Sequence, residues 1–209
     1  MHQSSLQRME RFVDEHLADR RGRPLRVLDV GAMDVNGSYR QLFDDPAWQY
    51  TGVDLEPGTG VDVVLPTPYD WSPFRSRSFD VVISGQAFEH IEFPWITIGQ
   101  VARVLVPMGL LCMVVPSGGY EHRYPVDCWR YYPDGVTALA RWADLEVVSA
   151  VTHWTADASY TDDSAGWADT VLVARKPYVP VPRRLLGDAK RHLLARTLTF
   201  QSGRLHQTS

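Results

Sequence analysis

The chain has 209 residues, 44% of them hydrophobic and 22% charged, with a formal net charge of -4. This is the make-up of a folded globular protein long enough for one α/β domain with its own core. It disfavours a nucleic-acid partner, which calls for a basic face. It also disfavours a membrane span, because no apolar run is long enough.

Leu6, Met9, Val13 and Leu17 recur at helical spacing, and the cluster Arg20-Arg21-Gly22-Arg23-Pro24 ends the helix they predict. The charges at Arg8, Glu10, Arg11, Asp14 and Glu15 are unlike a signal peptide. Cys112 and Cys128 are too few for a disulfide framework. Both features favour the cytoplasm.

Strands are expected at Leu25–Val30, Tyr50–Leu55, Val61–Leu65, Phe79–Ser84, Gly109–Val115, Leu145–Val151 and Thr170–Ala174. Between them, Ser38 is placed to cap a short helix through Phe43. Phe93–Leu105 reads as a helix with Pro94 in its first turn, and Asp134 as the cap of a helix ending at Trp142. Alternating strands and helices imply a doubly wound, mostly parallel α/β sheet. The last two strands are close enough in sequence to pair antiparallel. Residues 1–176 are expected to form the domain. Residues 177–209 are expected to form a linker with Pro180 and Pro182, then a basic helix over Arg183–Thr199. That helix is a candidate homodimer contact.

The most informative stretch runs from Val27 to Tyr39, where an apolar run ends in Asp29, Val30 and Gly31. It predicts a strand, a tight turn and a helix start, where ligands bind in open α/β sheets. Asp54 closes the second strand and is placed to accept hydrogen bonds from both hydroxyls of a ribose. Leu55 follows it. Asp29 is expected to hold the loop or meet a cationic group. Tyr69, Asp70 and Trp71 follow the third strand and are candidates to flank an adenine, with a plain loop around a buried Trp as the alternative. The spacing lacks the third glycine of a dinucleotide-binding dehydrogenase.

In order, Val27-Leu28-Asp29-Val30-Gly31, Gly52-Val53-Asp54-Leu55, Phe79-Asp80-Val81-Val82-Ile83-Ser84, Phe88-Glu89-His90-Ile91 and Ala102-Arg103-Val104-Leu105-Val106-Pro107 resemble a class I S-adenosylmethionine-dependent methyltransferase. The resemblance runs from about Arg26 to Val115, more loosely to Lys176. It implies a Rossmann-like seven-stranded sheet with an antiparallel seventh strand. It also implies S-adenosyl-L-methionine lying over the first strands, with Asp29, Gly31, Asp54, Leu55, Tyr69, Asp70, Trp71 and Ser84 as its candidate contacts. Met33 and Val35 stand where many relatives have further glycines, and Pro107-Met108-Gly109 replaces the usual Pro-Gly-Gly.

Glu89-His90 falls just past the fourth strand, near the reactive end of the cofactor in this family. In similar enzymes of the ubiquinone pathway an earlier Glu joins this pair to hold a cation. Here that position is Gln86. Glu89 and His90 are therefore candidate ligands of a divalent ion such as Mg2+, or structural or substrate contacts. The aromatic, charged stretch Gly118–Asp134 leaves the fifth strand beside them. Tyr120, Asp127, Trp129 and Arg130 are expected to meet the substrate, with Asp127 pairing Arg130 to orient the loop as the alternative. His122 and His153 are the candidate general bases, with His90 behind them. The pattern His-x-x-Pro-x-Asp-x-Trp-Arg-Tyr also resembles bacterial enzymes that methylate sugar hydroxyls of mannose polysaccharides or glycosylated natural products. The expected activity is O-methylation of a small-molecule or oligosaccharide hydroxyl. The alternatives are methylation of a quinone or polyketide ring, and cofactor binding without catalysis.

Overall fold

A computed structural model of the protein describes residues 2–155 and 160–178. The strands are β1 (Leu25–Val30), β2 (Trp48–Asp54), β3 (Val63–Val64), β4 (Phe79–Gly85), β5 (Leu105–Val115), β6 (Glu146–Thr152) and β7 (Thr170–Arg175). They form one seven-stranded sheet in the order β3-β2-β1-β4-β5-β7-β6. Neighbours are parallel except for β7, which runs antiparallel to both β5 and β6. The connections explain this. Helix α2 (Pro94–Val104) carries the chain from β4 to β5, and α3 (Pro133–Trp142) from β5 to β6. The described residues between β6 and β7 hold only the 3-10 turn Asp163–Gly166 and no crossover helix, and β7 returns antiparallel.

Helices on both faces of the sheet produce two cores. Leu28, Val30, Val82, Leu111 and Met113 point towards the α2 and α3 side. Val27, Val81, Ile83, Cys112 and Val114 point to the other side, where Met9, Phe12 and Val13 of α1 (Gln3–His16) pack with Tyr39 and Phe43. Strands buried on both faces need continuous apolar runs, which is how β4 and β5 read.

The sequence expectations depart from the structure at element ends. Asp134 does not cap α3: Tyr132 holds the cap position without a side-chain bond, Pro133 opens the helix, and Asp134 sits in its first turn. Strand β3 has only two residues, because Pro66 follows closely and Asp62 turns its carboxylate to Gly52 and Arg40. Strand β5 begins four residues early, at Leu105, with an irregularity opposite β4. Ser38 does cap, accepting from the Arg40 amide at 3.1 Å, but the turn Tyr39–Phe43 is 3-10. No helix among the described residues is long and apolar enough to cross a membrane. Pro180, Pro182 and the expected basic helix lie outside the described residues, and so does the homodimer contact assigned to it.

Candidate active site

At the end of β1 the chain turns through Gly31 at φ 82°. A Cβ there would stand 2.4 Å from the Ala87 Cβ. Glycine is thus required by the packing of this turn against the segment after β4, whatever room it leaves for a ligand. The Gly31 and Ala32 amides donate to the Val53 carbonyl at 2.9 and 3.0 Å. Asp54 stands beside this turn, part-buried. One carboxylate oxygen accepts from the Met33 amide at 3.0 Å and the other from Leu55 at 2.7 Å. Its side chain joins the glycine loop to the end of β2. Leu55 is exposed.

Asp29 lies beneath the turn and is buried. Tyr50 donates its hydroxyl to Oδ2, while Oδ1 has no partner among the described residues. Burial pushes the Asp29 carboxyl up to about 7, against the opposing effects of the Tyr50 bond and the Arg40 charge. Arg40 stacks over the Tyr50 ring and reaches Asp62 at 2.6 Å.

Three expected cofactor contacts are otherwise engaged. Trp71 is 1% exposed, and its indole N–H donates to the Pro68 carbonyl at 3.0 Å. It is a core residue with no ring face open to an adenine. Ser84 is buried and donates to the Val30 carbonyl at 2.8 Å, tying β4 to β1. Tyr69 accepts from the Phe93 amide at 3.2 Å and packs on the Phe93 ring, which anchors the start of α2. Asp70 stays exposed and accepts from the Ser72 amide at 2.9 Å.

Past the end of β4, the 3-10 turn Phe88–His90 buries Glu89 completely. Neither carboxylate oxygen receives a hydrogen bond of good geometry. Burial pushes this carboxyl up to about 8, and the nearby Arg130 charge offsets only part of the rise. The Glu89 carbonyl accepts from the Cys128 and Trp129 amides at 2.8 and 3.3 Å. These bonds fold the segment after β5 back over the turn. They bring His122 onto His90, with ring centroids 4.9 Å apart. One ligand atom each from Glu89, His90 and His122 lies within 4.8 Å of the others. Burial, then the neighbouring His90, lowers the His122 imidazole below its usual value.

Asp127 does not reach outward to a substrate. Arg130 grips both of its oxygens, and its Oδ2 also accepts from the His122 amide at 2.8 Å. The Arg130 bonds, ahead of other effects, hold Asp127 well below the usual carboxylate range. The pair therefore orients the loop, the alternative weighed from sequence. Tyr120 and Trp129 keep open ring area at 66% and 38% exposure, joined by Tyr124 at 69%. The Trp129 indole N–H is fixed to the Ile91 carbonyl at 3.0 Å.

His153 is not one of the three clustered donors. It follows β6, the outermost strand, with β7 and β5 between it and β4. Its amide donates to the Asp169 carbonyl at 2.9 Å, and burial, then Arg8 and Arg11, lowers its imidazole. Gln86 points elsewhere, donating to Asp169 at 2.8 Å.

Two residues of the site carried no sequence signal. Trp167, buried before β7, meets the rings of His122 and Tyr120 at 4.7 and 5.2 Å. Gly119 exists for it: at φ 91°, any Cβ would stand 2.4 Å from the indole. Asp169 accepts from Ser4 at 2.6 Å as well as from Gln86, drawing α1 onto the carboxyl edge of the sheet. Only the closed fold brings these groups together. The expected Mg2+ also loses its basis. Mg2+ takes oxygen ligands, and two of the three clustered donors are imidazoles.

Residues 28–113 match the family described as methyltransferase domain. A comparison with curated protein sequences gives no match. Among solved structures, the chain is similar to Burkholderia thailandensis 1,6-didemethyltoxoflavin-N1-methyltransferase with bound 1,6-didemethyltoxoflavin and S-adenosylhomocysteine. That likeness has a TM-score of 0.64 and 18% identity over 84% of this chain and 79% of that one. A putative methyltransferase from Bacillus halodurans gives 0.59 and 15%, over 84% and 100%. The [4+2]-cyclase SpnF gives 0.57 and 22%, over 83% and 82%. At these identities the likeness concerns the fold, and one neighbour is a cyclase, so the fold alone does not name the reaction. Residues 28–113 thus match a methyltransferase domain, and the seven-stranded sheet order has the fold of the methyltransferase structures it resembles.

Proposed function

We propose that the protein transfers a methyl group from S-adenosylmethionine to a hydroxyl of a small acceptor, with a sugar as the best candidate. The observation that carries this reading is the buried, unpaired Glu89 packed with His90 and His122 past the end of β4. A protonated hydroxyl is a poor nucleophile and needs such polar groups, whereas an amine often needs none. The exposed rings of Tyr120, Tyr124 and Trp129 suit the flat faces of a sugar or an aglycone.

In this reading Asp54 accepts from the two ribose hydroxyls, and the unpaired Asp29 Oδ1 meets the cofactor's ammonium group. The acceptor oxygen attacks the sulfonium methyl carbon, the carbon–sulfur bond breaks, and the neutral thioether leaves. His122 takes the hydroxyl proton. Its lowered pKa keeps it neutral near pH 7, as a base must be. Alignment of the two reactants supplies much of the rate.

The test incubates the full chain with S-adenosylmethionine and a panel of sugars, glycosides, quinols and amines, and follows methylated product by mass. Product from hydroxylated sugars supports the reading. Product from amines alone would overturn the oxygen acceptor. Binding of cofactor without turnover on any acceptor would favour a non-catalytic protein.

A further inference from the structure

We propose that Glu89, His90 and His122 form a binding site for one divalent transition ion, of the Zn2+, Co2+ or Fe2+ class. The cluster gathers one carboxylate and two imidazoles, all metal-ligating groups, with their ligand atoms within 4.8 Å of one another. Neither Glu89 oxygen accepts a hydrogen bond from the described residues, and Glu89 is 0% exposed. The His90 Nδ1 lies 2.6 Å from the Val126 carbonyl. A carbonyl only accepts, so Nδ1 carries the proton. That leaves a lone pair on Nε2, which faces Glu89 Oε1 at 3.7 Å, too far for a hydrogen bond. The buried His122 Nδ1 also lacks a partner, with Asp127 Oδ2 at 3.5 Å.

The nearest fixed cation does not fill this gap. Arg130 directs both terminal nitrogens to Asp127 and to the Tyr120 and Trp129 carbonyls, and only its Nε is without a partner among the described residues. What the pocket lacks is a compact positive centre. Metal-binding imidazoles donate their other ring N–H to a carbonyl or carboxylate, which fixes ring and tautomer. His90 has that arrangement with Val126. Two nitrogens and a carboxylate suit a first-row transition ion better than Mg2+ or Ca2+. The three donors lie within 4.8 Å of one another and would close around an ion to reach ligand distances of roughly 2.0–2.2 Å. Three protein ligands leave positions open for an outside oxygen.

What the ion does there rests on the methyl-transfer reading. Held beside the acceptor, the ion would lower the pKa of its hydroxyl, and water would then accept the proton in place of the His122 of the ion-free route. His122 acts as ligand in that state. An acceptor with two adjacent hydroxyls would chelate the ion.

The test strips the untagged full chain with chelator and titrates it with Co2+, following the visible absorption of the ion and the imidazole resonances of labelled histidine. The expected result is one ion per chain, with two of the seven histidines perturbed together. Glu89→Gln and His122→Asn should each weaken the ion by roughly tenfold or more. Asp163→Asn should change nothing. It sits in the second donor group of the described residues, His2, Asp162 and Asp163, which contains only one histidine. The proposal is overturned by no binding, by one perturbed histidine, or by unchanged affinity in both cluster variants. The histidine resonances of the wild type decide the matter if a variant fails to fold. Binding of S-adenosylhomocysteine, measured by calorimetry in the same samples, separates the two readings. Thioether binding without the ion sinks this site alone, and ion binding without the thioether sinks the methyl-transfer reading.

Discussion

Arg130 grips Asp127 with both terminal nitrogens, at 2.6 and 2.8 Å, and the same carboxylate accepts from the His122 amide. This two-pronged pair fixes the loop that lays His122 over His90. An ammonium cannot reproduce that planar fork. Arg130→Lys should therefore lower kcat roughly tenfold or more while leaving S-adenosylhomocysteine affinity within about twofold, since misplacement of reacting groups is costly in rate. Steady-state kinetics and calorimetry check it. A matching loss of cofactor affinity would show that the loop serves the cofactor instead.

Asp54→Ala should weaken binding of S-adenosylhomocysteine. Two hydrogen bonds to a charged acceptor, at about 1.5–3 kcal/mol each, predict a loss of roughly a hundredfold or more. The Met33 amide also loses its partner, so the glycine loop should loosen. Unchanged calorimetric affinity would end the ribose assignment.

His122→Ala should reduce turnover by roughly 100- to 10,000-fold, the usual range for a proton-transfer group. His153→Ala should keep turnover near the wild-type level, because His153 is not part of the donor group of Glu89, His90 and His122. Equal losses in both variants would contradict that separation.

Asp29 makes stability depend on pH. Its carboxyl sits near 7 in the fold, raised from 3.8 chiefly by burial. The folded state thus holds a proton that the unfolded chain releases. Its contribution is fully present below the unfolded value and is lost as pH rises through the folded one. Over that window the wild type should lose up to about 1.4 kcal/mol per pH unit from this group. Asp29→Asn should remove that slope. Urea midpoints of the two proteins between the two pKa values provide the check, and parallel curves would refute the assignment.

Gly31→Ala should destabilise the fold by about 2–4 kcal/mol, from a positive φ and from overpacking against Ala87. Ala87→Gly in the same chain should recover only the overpacking part. Full recovery would mean that the backbone angle carries no strain.

The strands were legible because a sheet covered on both faces demands apolar runs, and Leu25–Val30, Phe79–Gly85 and Leu105–Val115 supply them. Their ends were less legible. Whether Leu105 starts a strand depends on what lies beside it, and Asp134 as a cap competed with Pro133 at the first helical position. The turn at Gly31 and the carboxylate of Asp54 at the end of β2 were legible by position, and the structure ties Asp54 to the Met33 amide of the glycine loop. Trp71 and Ser84 shared that neighbourhood in sequence, yet their side chains turn to the core and to the Val30 carbonyl.

Local patterns, acting over a few residues, determined on their own the alternation of strands and helices, the glycine turn and the adjacency of Glu89 and His90. The meeting of His122 with that pair, the seating of Trp167 against Gly119 and the removal of His153 to the sheet edge were decided by the tertiary structure alone. Each depends on which distant segments the sheet order brings side by side. That order follows from burying two apolar faces at once, a condition on the whole chain that no short stretch records.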